Sequence, residues 1–139
     1  MLIKNKKAFY EYFITDKYDA GIVLTGTEIK SARDSKLSLV DSFCQFIGNE
    51  LFIRNMSIAQ YEFGNVWNHE PKRDRKLLLH KKELRQLQKA IHGTGMTIIP
   101  LIAHTDGRLL KIQIGLAKGK KLYDKRETIK QRDLSRALD

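Results

Sequence analysis

The stretch TIIPLIAHTDGRLLKIQIGLA, residues 97–117, decides the fold. In its second half Leu110, Ile112, Ile114 and Leu116 alternate with Lys111, Gln113, Gly115 and Ala117, the period of a strand with one buried face. TIIPLIAH before it is a second strand, and Thr105-Asp106-Gly107-Arg108 between them reads as a hairpin turn. Pro100 has no N–H to give a neighbour, which predicts an edge or a bulge at that point. Working outward, SFCQFIG (42–48) and LFIRNMSIAQY (51–61) flank a short Gly48-Asn49-Glu50 turn and form another hairpin. AFYEYFIT (8–15) and GIVLT (21–25), separated by the turn-like DKYDAG, bring the expected strands to six.

Two helices interrupt them. In TGTEIKSAR (25–33), Thr25 stands three residues before Glu28, the spacing of a capping box. In HKKELRQLQKAIHG (80–93), Leu84, Leu87 and Ile91 share one side and Gly93 supplies a stop. Lys81, Lys82, Arg85 and Lys89 fall on the opposite side as a cationic ridge. Six strands with a helix between hairpin pairs predict a mainly β protein, an OB-like six-stranded barrel with two to three added helices. The barrel spans residues 1–117, and from Lys118 to Asp139 the alternation gives way to a charged tail. Asp124 and Glu127 could cap a helix there, but about fifteen residues with three scattered apolar side chains are marginal alone. The tail is therefore expected to be disordered when free.

The formal charge of +10 is unevenly spread: residues 71–90 hold eight Lys or Arg against two acidic residues, and 115–139 eight against four. Residues 21–70 hold four against six. Two basic blocks on a near-neutral body point to a polyanion, and neither has the apolar face an interfacial helix needs. Nucleic acid is thus favoured over membrane, and MTIIPLIA is too short to cross a bilayer. The opening MLIKNKK lacks a signal-peptide pattern, and the single cysteine, Cys44, lies in an apolar run; both suit a cytoplasmic protein.

No catalytic, cofactor or metal site is expected. GLAKGKK is one residue short of a phosphate-binding loop, with Lys121 where a hydroxyl would hold magnesium. His69, His80, His92 and His104 lack metal-ligand spacing, and Glu28, Asp34 and Asp41 have no periodic relation. Residues 61–80 are more informative. Tyr61, Phe63, Trp67 and His69 precede Lys72, Arg73, Arg75 and Lys76, a mixture suited to base stacking with phosphate neutralisation. The alternative is that Phe63 and Trp67 plug one end of the barrel.

Four stretches in order, NKKAFYEYFI (5–14), AGIVLTGTEIKSAR (20–33), NHEPKRDRKLLLHKKEL (68–84) and GLAKGKKLYDKRETIKQRDL (115–134), resemble the signature stretches of the SmpB family. These are bacterial proteins that bind tmRNA, also called SsrA RNA. The resemblance implies a non-enzymatic adaptor, without cofactor, in trans-translation, the rescue of ribosomes stalled on mRNA without a usable stop codon. One barrel face would grip the elbow of the tRNA-like domain, the protein standing in for the missing anticodon arm. The implied RNA-binding residues are Glu28 and Lys30 of the G-x-E-[VI]-K motif, Arg75, Lys76, Leu78 and His80 of R-K-L-L-L-x, and Lys118, Lys120 and Lys121 of A-K-G-K-K. Many family members carry Asn at the position of His80. The tail, with Tyr123, Asp124, Lys125, Arg126, Lys130 and Arg132, would become helical in the decoding centre and empty mRNA channel of the small subunit. Elongation factor Tu bound to alanyl-tmRNA is a further implied partner, and the protein itself is expected to be a monomer. Family tails often run further and end strongly basic, whereas this sequence ends SRALD. A ribosomal protein with an OB-like barrel embedded in rRNA would carry similar basic blocks.

Overall fold

The computed structural model describes residues 2–64, 67–120, 125, 126, 129 and 130. Its elements are β1 (Leu2–Lys4), α1 (Lys6–Glu11), β2 (Tyr12–Ile22), α2 (Gly26–Arg33), β3 (Leu37–Ser38), β4 (Phe43–Ile47), β5 (Glu50–Arg54), β6 (Ser57–Ile58), β7 (Arg75–Leu78), α3 (Lys81–Ile91), β8 (Thr97–Asp106) and β9 (Leu109–Gly119). Strands β8, β4, β5, β7, β2 and β9 are neighbours in that order, and β9 returns to pair with β8. Six strands thus close into a ring, with β1 added to β8 and β3–β6 as a separate small pair. The protein is mainly β, with three helices among the described residues. None of these helices is long and apolar enough to cross a membrane.

The long hairpin forms as its alternation requires: β8 and β9 pair from Thr97↔Ala117 to Asp106↔Leu109, and Gly107 takes the turn at φ +62°. Pro100 stands at an irregularity, since the register shifts between Pro100 and Ile102. That bulge is used. The Asn5 amide donates to the Pro100 carbonyl at 2.9 Å, and the Asn5 N–H donates to Leu101 O at 2.7 Å. Asn5 Oδ1 also accepts from the Ala8 N–H at 3.4 Å, so one residue caps α1 and anchors it to β8.

This cap explains a departure from the sequence reading. AFYEYFIT was expected to be a strand from Ala8, yet residues 6–11 are helical and Ala8 packs against Ile99, Leu101 and Ala117. The strand starts at Tyr12 and continues through DKYDAG, which is no turn: Asp16 to Gly21 pair with β9, and Ala20 is fully buried. The two expected strands are one. The sixth place in the ring goes to β7, whose Arg75 and Lys76 disguised it as a basic loop. LFIRNMSIAQY divides into β5 and β6 at Asn55, which sits at φ +63°.

Both expected helices are present. In α2 the Thr25 N–H donates to Glu28 Oε1 at 2.9 Å, and in α3 the His80 N–H donates to Glu83 Oε1 at 3.1 Å. Leu87 is buried, Leu84 and Ile91 pack beside it, and Gly93 follows the helix at φ +70°. Lys81, Lys82, Arg85 and Lys89 are exposed, as the helical period places them. Leu51, Ile53, Met56, Ile58, Leu77, Ile98 and Ile112 form the heart of the core. Cys44 is buried at its edge, and burial pushes its thiol up, which makes it an inert core residue. At the four described tail positions, Lys125, Arg126, Ile129 and Lys130, the backbone is helical.

Gly115 is required by packing. A Cβ there would lie 2.8 Å from Leu101 Cδ1 and 2.9 Å from Ile14 Cγ2, both held between β2 and β8. Gly115→Ala should therefore lower stability by ~1–3 kcal/mol in urea denaturation. A variant as stable as the parent would contradict this packing.

Candidate nucleic-acid interface

The residues singled out by sequence fall into three places. The first is the end of β2 that meets β7. Gly21 pairs with Leu78, and a Cβ on Gly21 would approach Leu78 Cβ at 3.3 Å, so the glycine lets the strands meet closely. Leu78 points outward and is 50% exposed, the one exposed apolar side chain on β7. On one side of it lies a concavity of about 250 Å³ lined by Asp19, Gly21, Leu78, Leu79, His80, Glu83 and Lys111. On the other lies a groove of about 630 Å³, to which Lys76, Lys81, Arg85 and Glu50 contribute charge. Lys76 Nζ reaches Glu50 Oε1 at 3.1 Å across it.

An aliphatic side chain is therefore flanked by polar groups that both donate and accept, with Lys81 and Arg85 of the α3 ridge lining the same groove. Leu78 lines both hollows, with Lys76 in the groove and His80 in the concavity. Asp19 and Lys111 were not foreseen. Asp19 sits in the stretch mistaken for a turn, and Lys111 joins it only because Gly21 pairs with Lys111 across β2 and β9. Asp19 Oδ1 lies 2.7 Å from His104 Nε2, which orients the carboxylate from one side.

The second place is the interior. Glu28, read as an RNA contact, is 0% exposed. Its Oε1 accepts from Arg73 Nη2 at 2.6 Å and from the Thr25 N–H, and its Oε2 accepts from Arg75 Nε. Arg75 is buried too: Nη1 donates to Met56 O at 2.7 Å and Nη2 to Pro71 O at 3.0 Å. Every nitrogen of that guanidinium is engaged inside the protein. Neither side chain reaches a surface that RNA could touch, so any influence on a ligand passes through the elements they hold. Sequence could not show this, because the carboxylate and the arginines are 45 and 47 residues apart.

Burial pushes the Glu28 carboxyl up, but hydrogen bonds from Arg73, the Thr25 N–H and Arg75, with the Arg75 charge, outweigh it and hold the group below its ordinary range. Burial lowers Arg75, and the Glu28 hydrogen bond and charge offset only part of that. Lys30 lies nearby on α2, its Nζ 5.4 Å from the Tyr61 ring centre.

The third place is the opposite end of β2. Lys118 pairs with Phe13 and is exposed; Lys120 Nζ sits 5.0 Å over the Phe13 ring, and its N–H donates to Glu11 O at 2.7 Å. Phe13 and Asp19 are six residues apart along the strand, roughly 20 Å. Lys125 is half-buried and Arg126 and Lys130 are exposed; Lys121, Tyr123, Asp124 and Arg132 lie outside the described residues. Phe63 and Trp67 are 74% and 88% exposed, so the alternative that they plug the barrel is overturned.

The family profile described as "SmpB protein" matches residues 2–139. The chain belongs to the SmpB family. An SsrA-binding protein of Flavobacterium psychrophilum is 54% identical over 138 residues, covering 99% of this chain and 92% of that one. One from Streptococcus pneumoniae is 51% identical, covering 99% and 89%. A solved chain described as "tmRNA-SmpB: a journey to the center of the bacterial ribosome" superposes with a TM-score of 0.72 at 43% identity, covering 99% of this chain and 97% of that one. Membership also carries the expectation of an RNA-binding protein that is not an enzyme.

Removing the Glu28 carboxylate would strand Arg75 as a buried charge. Glu28→Ala should lose ~3–5 kcal/mol at pH 7 in urea denaturation. Because the folded carboxyl is depressed, its contribution is present above the ordinary value of 4.5 and is lost as pH falls through the lower folded value. The gap between parent and variant should therefore close on acidification below 4.5. A gap independent of pH would contradict the clamp.

Proposed function

We propose that this chain is a tmRNA-binding adaptor that accompanies tmRNA to stalled ribosomes in trans-translation. The observation that carries the proposal is the continuous face around Leu78, joining Asp19, His80 and Lys111 to Lys76, Lys81 and Arg85, in a member of the SmpB family. We read the six-strand ring as an OB-like barrel and this face as the grip on the elbow of the tRNA-like domain. Leu78 would pack against an exposed base or ribose. Asp19, which would repel phosphate, would accept from a base edge or a 2′-hydroxyl. The α3 ridge would neutralise phosphates, and His80 and Lys111 would donate at the rim.

The far end of β2 suits a different task. Lys118 lies near the end of the ladder opposite Phe13, β9 ends at Gly119, and Lys120 leads directly into residues 121–139. In this reading the body extends to Gly119, where β9 ends two residues past the expected boundary at 117, and the segment after Lys120 enters the decoding centre and mRNA channel, with Lys125, Arg126 and Lys130 among its contacts. Elongation factor Tu would be carried on the alanyl-tmRNA rather than on this chain, which acts as a monomer in the cytoplasm.

Affinity for the tRNA-like domain of tmRNA tests the face. Asp19→Ala should cost about as much as a hydrogen bond to a charged group, ~1.5–3 kcal/mol. The quadruple variant Lys81→Ala, Lys82→Ala, Arg85→Ala, Lys89→Ala should flatten the log-affinity against log-salt slope by ~0.7–0.9 for each phosphate that is no longer neutralised. Folded variants with the parent affinity and slope would reject this face as the binding site. Removing residues 124–139 should leave tmRNA affinity nearly unchanged while abolishing tagging of stalled chains. Tagging at the parent rate, or a collapse of tmRNA affinity, would contradict the division of labour.

A further inference from the structure

Residues Tyr61–Gly64 and Trp67–His69 carry the two most exposed aromatic side chains described, Phe63 and Trp67, and the two pieces are joined by hydrogen bonds. Asn68 Oδ1 accepts from the N–H groups of Tyr61 and His69, each at 3.1 Å, and Asn68 Nδ2 donates to Tyr61 O at 2.7 Å. The Gly64 N–H closes a turn onto Tyr61 O at 2.9 Å. No Cβ fits at Gly64, where it would lie 2.7 Å from Asn68 Nδ2 and 3.1 Å from Thr27 Cγ2. Beneath them His69 is buried, with Nε2 2.8 Å from Ile58 O and Nδ1 2.8 Å from Thr27 Oγ1. Since the carbonyl can only accept, Nε2 carries the proton and ties the loop to β6, while Thr27 ties it to α2.

Phe63 and Trp67 thus stand exposed beside residues that are anchored to the body. Phe63 meets Tyr61 edge to face, with ring centres 5.6 Å apart, and Lys30 sits over the other ring of that pair. Lys72 and Arg33 are exposed, and the two guanidiniums of Arg73 and Arg75 share the single Glu28 carboxylate, leaving one positive charge in excess. Glu62 and Glu70 are exposed on the same segment, so the charge is favourable to a polyanion without being dense.

We propose that Phe63 and Trp67 form a stacking platform for unpaired bases of a single-stranded RNA segment, with Lys30 and Lys72 meeting its phosphates. It is separate from the face around Leu78. Its exposed apolar surface is made of flat rings, which accept the face of any base, and neighbouring cations favour a nucleic acid over an apolar protein surface. The inference rests on the proposed RNA-binding function and adds a second point of contact, one for single strands rather than for a folded domain.

Trp67 is the only tryptophan of the chain, so its fluorescence reports the site directly. The full chain would be titrated with a 12-residue oligoadenylate, and binding followed by Trp67 emission and by the anisotropy of a labelled oligonucleotide. Stacking should quench the emission, and Phe63→Ala and Trp67→Ala should each weaken anisotropy-detected binding at least about fivefold. Their melting temperatures should match the parent, since both side chains are exposed. Asp19→Ala should leave oligoadenylate binding intact while weakening binding of the tRNA-like domain. Saturation without a change in emission, parent-like binding by both aromatic variants, or no oligoadenylate binding at all would overturn the platform. If the parent failed to bind tmRNA but oligoadenylate still quenched Trp67, the proposed function would fall and the platform would stand.

Discussion

Glu28, held between Arg73 and Arg75, is the interaction on which the face around Leu78 depends. It joins α2 to the start of β7 inside the protein, and Arg75 extends the connection to the carbonyls of Met56 and Pro71. β7 is only four residues long and its ladder is short: two paired positions with β2 and two with β5. A strand that short gains little from its own hydrogen bonds. The buried ion pair fixes where it begins, and with it the direction of Leu78 and the N-terminal end of α3. A solvent-exposed pair could not do this, because screening and side-chain entropy would leave it worth little. The guanidinium-carboxylate geometry also explains why an arginine, not a lysine, suits position 75: three nitrogens must find acceptors in different directions.

From that anchor β2 runs between two different kinds of surface. At one end of β2, β7 and α3 present a rigid surface in which an aliphatic side chain, a carboxylate and several cations have fixed relations. At the other end the chain leaves the ring beside α1, which Asn5 pins to the bulge of β8. A folded RNA domain calls for the first kind of surface, since its shape must be matched without further ordering cost. Under the proposed function the segment after Lys120 would meet the ribosome, and a narrow segment can enter a channel that no compact body could.

Much of this was legible in the sequence where a local rule applies. Alternation in 97–117 marked the long hairpin, the Thr25–Glu28 spacing marked α2, and the apolar stripe of Leu84, Leu87 and Ile91 marked α3 with its opposite ridge. Pro100 announced its own bulge. The failures share a cause: they turn on distant partners. Residues 8–11 have strand-like side chains but are helical because Asn5 caps them and Ala8 finds a place against Leu101. DKYDAG has turn-like residues but is drawn into β2 by nine paired positions with β9. Two errors cancelled, since the strand missing at the N-terminus was replaced by β7, and the count of six survived with different members.

The site shows the same limit more sharply. Family motifs pointed to Glu28 and Arg75 as RNA-binding residues, yet both are buried, because a motif does not say whether a side chain faces a ligand or the interior. Asp19 carried no signal until β2 was traced through it. The most direct test of the account is whether Leu78, rather than the clamp behind it, meets the RNA. With methyl-labelled leucine and the tRNA-like domain of tmRNA bound, intermolecular nuclear Overhauser effects should connect the Leu78 methyl groups to ribose or base protons, while the Arg75 Nε–H signal keeps its position and slow exchange. A bound complex in which Leu78 does not touch the RNA, or in which the Arg75 side chain does, would contradict it.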